Sequence, residues 1–166
     1  MALFRSIWDD FRYSLRAGNM VTKLVVINFA IFVLANLAFV AVWMVLFGGD
    51  VSAYFWEGIN YLCISSDWKE ILWRPWTIFT HFFLHVDVLH FINNIFGLYL
   101  FGTIVHDLIG NQRVLPVYLL GGLAGALFFW VSSNFSPFFG HYALGASAAV
   151  MAMSGAALIL APDYRV

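Results

Sequence analysis

The sequence predicts an all-α polytopic membrane protein. Three observations carry that prediction. Of 166 residues, 63% are hydrophobic and only 10% charged; mean hydropathy is +0.86; and long apolar stretches alternate with short polar connections. A soluble domain of this length could not hide so much apolar surface, whereas a bilayer accepts it. A formal net charge of −1, without basic runs, argues against nucleic acid as a partner. The single cysteine, Cys63, excludes an internal disulfide.

The N-terminal segment places Phe4, Ile7, Trp8, Phe11 and Leu15 on one helical face and Arg5, Asp9, Arg12 and Arg16 on the other. Residues 1–20 are therefore expected to lie as an amphipathic segment in the cytoplasmic interface. Residues 21–166 make up the membrane domain. Its first span, about 24–47, is too long for a signal-peptide core and no small-residue cleavage site follows, so it reads as a retained signal anchor. An interfacial loop of about 48–85 comes next. Its central part is too polar to span and carries Tyr54, Phe55, Trp56, Tyr61, Trp68, Trp73 and Trp76, the amphipathic aromatics that concentrate at a membrane surface. Further spans are expected at about 86–105, 114–132 and 144–160. The Asn134-Phe135-Ser136-Pro137 stretch ends the third. Gly121, Gly122 and Gly125 on the third span, with Ala148, Ala152 and Gly155 on the fourth, suit close helix packing.

Lysine and arginine set the orientation. Arg5, Arg12, Arg16 and Lys23 precede or open the first span, which puts the N-terminus in the cytoplasm. Arg113 assigns the 106–113 loop to the same side, and the 133–143 loop, with neither Lys nor Arg, to the outside. The second and fourth spans then both enter from outside, which brings their first polar side chains to a similar depth.

Those side chains are the unusual ones. The second span opens with His81-(x3)-His85-(x4)-His90-(x3)-Asn94, and the fourth with Leu144-Gly145-Ala146-Ser147-Ala148. Polar groups at membrane depth are costly, so each needs a reason. His90 and Asn94, four apart, share one helical face. Ser147 falls in the first turn of its helix, where backbone N–H groups lack intrahelical partners. A hydroxyl, free amides and facing imidazole and carboxamide donors are the parts of a nucleophile with an oxyanion hole.

Pro75-Trp76-Thr77-Ile78-Phe79-Thr80-His81-Phe82-Phe83-Leu84-His85, followed by His90 and Asn94, resembles the second-helix region of rhomboid intramembrane serine proteases. Gly145-Ala146-Ser147 resembles their Gly-x-Ser motif. The resemblance covers about residues 20–160, and its specificity lies in the two blocks together. It implies a rhomboid-like helical bundle and a cofactor-free intramembrane serine endopeptidase with a Ser–His dyad. Such an enzyme cleaves peptide bonds in or near transmembrane helices of membrane-protein clients. By that resemblance Ser147 is the nucleophile, and His90 and Asn94, with the Ser147 amide, stabilise the oxyanion. Gly145 allows close backbone approach beside the nucleophile.

The sequence also departs from the family. Four of the usual six transmembrane helices are present, and the general-base histidine of the sixth is not. The chain is accordingly expected to be a fragment or truncated member, inactive alone. Ala148 stands where a second glycine is common, and Thr77 where arginine is frequent; His106-Asp107 lies near the place of an acidic residue at the cytoplasmic end of the second helix. The alternative is a non-proteolytic rhomboid-like protein that binds transmembrane clients. Retention of Ser147, His90 and Asn94 together argues against it, and chain length argues for it. A channel or transporter subunit would need a continuous polar path, but the polar groups cluster in the outer halves of the spans.

His81 and His85 have the i, i+4 spacing of a metal pair without a third ligand, and are expected to hydrogen-bond the interfacial loop instead. His141, six residues before Ser147 in the preceding loop, is poorly placed to act as the base. Asn28 and Asn36 on the first span have no role legible in the sequence. No metal, nucleotide or haem motif appears. The expected partners are transmembrane substrates and the lipid bilayer, and the expected location is a bacterial inner membrane.

Overall fold

The computed structural model describes residues 18–45, 51–136 and 140–161. Most of the amphipathic segment expected at 1–20, the end of the first expected span at 46–47 and Pro137 lie outside those residues. In chain order the elements are α1 (Met20–Val45), α2 (Val51–Asn60), β1 (Ile64–Ser65), α3 (Trp68–Trp73), α4 (Thr77–Thr80), a 3₁₀ turn (His81–Phe83), α5 (Val88–Ile109), α6 (Asn111–Phe135), β2 (Tyr142–Ala143) and α7 (Ser147–Leu160).

α1, α5 and α6 are long and apolar enough to cross a membrane, so the chain is a multi-pass membrane protein. Each begins or ends on an identifiable signal. Asn19 caps α1, its Oδ1 accepting the Thr22 amide at 2.9 Å. Asp87 caps α5 by accepting the His90 amide at 2.7 Å, so this helix starts two residues later than the apolar run suggests and continues past 105 to Ile109. Gly110, at φ +87°, is the single residue between α5 and α6. Only a residue free of a Cβ penalty adopts that conformation cheaply, so what reads in sequence as an eight-residue loop is one glycine. The Met20 amide donates to Asn111 Oδ1 at 2.6 Å. The start of α1 and the α5–α6 turn therefore share one side, as the distribution of Lys and Arg requires.

The fourth apolar segment, expected as a span at 144–160, is described as a helix that begins at Ser147 and has 14 residues, about 21 Å of rise beside the roughly 30 Å of a bilayer core. β2 ends just before the segment, whose first residues turn through Gly145 at φ +115°. α7 packs between α5 and α6. Ala148 faces Gly125, where a Cβ would come within 2.2 Å, and Ala152 faces Gly121, where one would come within 2.4 Å. Backbone thus meets backbone along this seam, as small residues permit in membranes. Gly122 belongs to another contact: its α-carbon lies under the Phe82 ring. Gly155 meets nothing within 4 Å, so the small-residue face ends at Ala152.

The aromatic loop is bolted down by long-range hydrogen bonds. Trp76 Nε1 donates to the Tyr61 carbonyl at 2.8 Å, and Thr80 Oγ1 to the Leu62 carbonyl at 2.7 Å. β1 pairs antiparallel with β2, Ile64 opposite Ala143 and Ser65 opposite Tyr142. This small sheet is a β addition to an otherwise helical fold, and it ties the loop before α5 to the segment that leads into α7.

Candidate active site

Ser147 is the first residue of α7 and is exposed, while Gly145 and Ala146 before it are buried. The first intrahelical bond runs from the Val150 amide to the Ala146 carbonyl at 2.9 Å. The amides of Ser147, Ala148 and Ala149 therefore have no helical acceptor. Among the described residues no hydrogen bond reaches Ser147 Oγ. A cavity of about 130 Å³ adjoins it, bounded by Ile64, His81, Gly125, Phe129 and Gly145 among others.

Two histidines of the 3₁₀ turn and its exit hold the approach to Ser147. The Gly145 amide donates to the His81 carbonyl at 2.8 Å. The Ala146 amide donates to His85 Nε2 at 3.1 Å, across 61 residues of sequence. His85 is fully buried. Burial, with His90 nearby, pushes its imidazole down to about 4, against a weaker pull from the Phe83 carbonyl. The ring is therefore neutral, with its Nε2 lone pair facing Ala146. His81 Nδ1 bonds the Thr77 carbonyl at 2.8 Å, and burial lowers this imidazole too.

His90 comes to the same place from α5. Its ring lies over the α-carbon of Gly145: a β-carbon there would sit 2.5 Å from Cε1 and 2.8 Å from Nε2. His90 also meets His85 edge to face, centroids 5.2 Å apart. Asn94 is buried one turn on, and its Nδ2 donates to the His90 carbonyl at 2.8 Å. One of its amide hydrogens is thus spent on its own helix, which leaves the second hydrogen of the carboxamide for another acceptor. The structure places His90, Gly145 and the start of α7 together; Asn94 stands behind His90. His141 is turned away onto the loop, its Nδ1 3.1 Å from Ser66 Oγ. No three His, Cys, Asp or Glu side chains group as a metal site among the described residues.

The platform beneath these groups includes residues to which the sequence assigned no role. Tyr118 on α6 donates to the Phe82 carbonyl at 2.8 Å, and Asn28 Nδ2 on α1 donates to Tyr118 Oη at 3.2 Å and to Leu24 O at 2.8 Å. Asn28 thereby pins the 3₁₀ turn, flanked by His81 and His85, to two long helices. The only signal for it in the sequence is an asparagine within an apolar run. Among the described residues Asn36 bonds its own helix, at the Phe32 carbonyl.

Residues 72–166, more than half of the chain, match the family model for the Rhomboid domain. The chain is 31% identical over 106 residues to Rhomboid protease GluP of Bacillus subtilis, covering 64% of this chain and 18% of that protein. It is 34% identical over 104 residues to Rhomboid-like protein 16, chloroplastic, of Arabidopsis thaliana, covering 63% and 30%. Over 58 residues it is 40% identical to RHOMBOID-like protein 12, mitochondrial, of the same plant, covering 35% and 17%. In each case the match spans less than a third of the relative's own length. With the histidine-rich entry to α5 converging on the start of α7, these matches place the chain in the rhomboid family.

Proposed function

We propose that this chain supplies the nucleophile and oxyanion groups of an intramembrane serine endopeptidase that cleaves membrane-protein clients in or near their transmembrane helices. One observation carries the reading: Ser147 opens α7 exposed, beside amides with no helical acceptor, with the His90 ring against Gly145 two residues before it. Attack by Ser147 Oγ on a peptide carbonyl generates an oxyanion. The Ser147 N–H, His90 and the remaining Asn94 hydrogen are the donors offered to it. The hydroxyl is a weak nucleophile until a base takes its proton, so the reaction requires a histidine within hydrogen-bond reach of Oγ. None of the described imidazoles makes that bond. The N-terminus is proposed to face the cytoplasm, which puts Ser147 in the outer half of the bilayer, within reach of water.

The test is Ser147→Ala in the full-length protein, reconstituted in liposomes with a single-span reporter client. Cleavage should be lost while membrane insertion and thermal stability stay unchanged. Undiminished cleavage would overturn the nucleophile assignment. Binding of the client by wild-type protein that never cleaves it would favour a client-binding role.

A further inference from the structure

Two consecutive backbone amides before Ser147 are held by the same turn: Gly145 N–H by the His81 carbonyl and Ala146 N–H by the His85 imidazole. The next amide, that of Ser147, has no helical acceptor. A carbonyl is the ordinary acceptor for a buried amide, so a fully buried histidine used in that place is unusual. Its other contacts in the described residues are weaker anchors: the Phe83 carbonyl pulls only slightly on the imidazole, Nδ1 has no hydrogen bond of ordinary geometry, and His90 and Phe91 meet the ring edge to face. An imidazole accepts only at a nitrogen without a proton, so this bond exists only while His85 is neutral.

We propose that His85 is a positioning residue for the reaction: by accepting the Ala146 N–H at Nε2 it fixes the turn that presents Ser147 and the adjoining free amide. This rests on the reading of Ser147 as nucleophile. Without the bond, Ala146 N–H is left unsatisfied in a buried site, and the turn, already held at a positive φ by Gly145, relaxes toward another acceptor. Ser147 Oγ and its amide move with it. The titratable groups around the ring are His90, edge to face with it, and His81 on the preceding turn, whose Nδ1 is engaged by Thr77; Asp87, two residues on, spends its carboxylate on the His90 amide.

The experiment compares His85→Leu with His85→Gln in the full-length protein, since the Gln side-chain oxygen can take the place of Nε2. The first readout is hydrogen exchange of the peptide covering residues 144–149, in a Ser147→Ala background where activity plays no part. Leu should remove the protection of Ala146 and Gln should keep it; unchanged protection with Leu overturns the proposal. The second readout is cleavage of a single-span reporter. Leu should lower kcat by about 10²-fold, the cost of a misplaced reacting group, with KM unchanged, and Gln should recover most of that loss. A kcat that ignores the change in exchange refutes the positioning role while leaving the contact. Wild-type protein that never cleaves fails the protease reading, and the exchange experiment still decides the contact. Should Leu fail to fold, Gln stands as the deciding variant: it must retain both protection and kcat.

Discussion

The His90 ring rests on the α-carbon of Gly145, at a place where a β-carbon would lie 2.5 Å from Cε1. Gly145 is also at φ +115°, a conformation L side chains rarely adopt. Gly145→Ala therefore meets a steric clash and a backbone cost of about 1–2 kcal/mol together. Cleavage should be lost and the unfolding midpoint in detergent lowered. Wild-type cleavage by Gly145→Ala would show that the turn and His90 separate freely.

Asn94 and His90 offer different donors. Asn94 already gives one hydrogen to the His90 carbonyl, so Asn94→Ala frees that carbonyl as well as removing the donor proposed for the oxyanion. A donor of this kind contributes about 10²–10³-fold to kcat. Both Asn94→Ala and His90→Ala should fall in that range, measured as initial rates at saturating client.

Tyr118→Phe keeps the ring but strands the Phe82 carbonyl in the core and leaves Asn28 only its bond to the Leu24 carbonyl. The loss should be about 1–2 kcal/mol of stability, read by reversible unfolding in mixed micelles. Because the affected turn carries His81 and His85, activity should fall with stability.

Stability should also fall with acidity. The folded His85 value, about 4, lies below its ordinary value of 6.5. Between those values the unfolded chain binds more protons, so stability is complete above 6.5 and declines as pH drops toward 4. His81 is lowered in the same direction by burial. The difference between wild type and His85→Gln over pH 7 to 4.5 isolates the His85 share, on the order of 1–3 kcal/mol.

Three of the spans were legible because lipid demands long apolar helices, a constraint written in composition over twenty residues at a time. The start of α7 was not. Its first residues are apolar, and what keeps Leu144 to Ala146 out of the helix is the left-handed turn at Gly145 and the tie of the Gly145 and Ala146 amides to His81 and His85. Both depend on residues far away or on one dihedral angle. The meeting of His90 with Gly145 was foreseeable from topology and motif, since both segments enter from one side. The acceptor role of His85 was not, because an i, i+4 histidine pair says nothing about which backbone amide lies opposite. Asn28 likewise makes sense only once Tyr118 and Phe82 are seen beside it.

The contact of Ala148 with Gly125 also sets a depth. α6 continues from Gly125 to Phe135, about 15 Å along its axis, so α7 begins far below the rim of its neighbour. Acyl chains cannot satisfy the bare amides at that floor. Hydrating them would make a wet recess beside Ser147, walled by a helix on one flank and by the pinned aromatic loop on another. On the protease reading proposed above, the water consumed in hydrolysis would then need no separate conduit, because its supply would be part of the architecture.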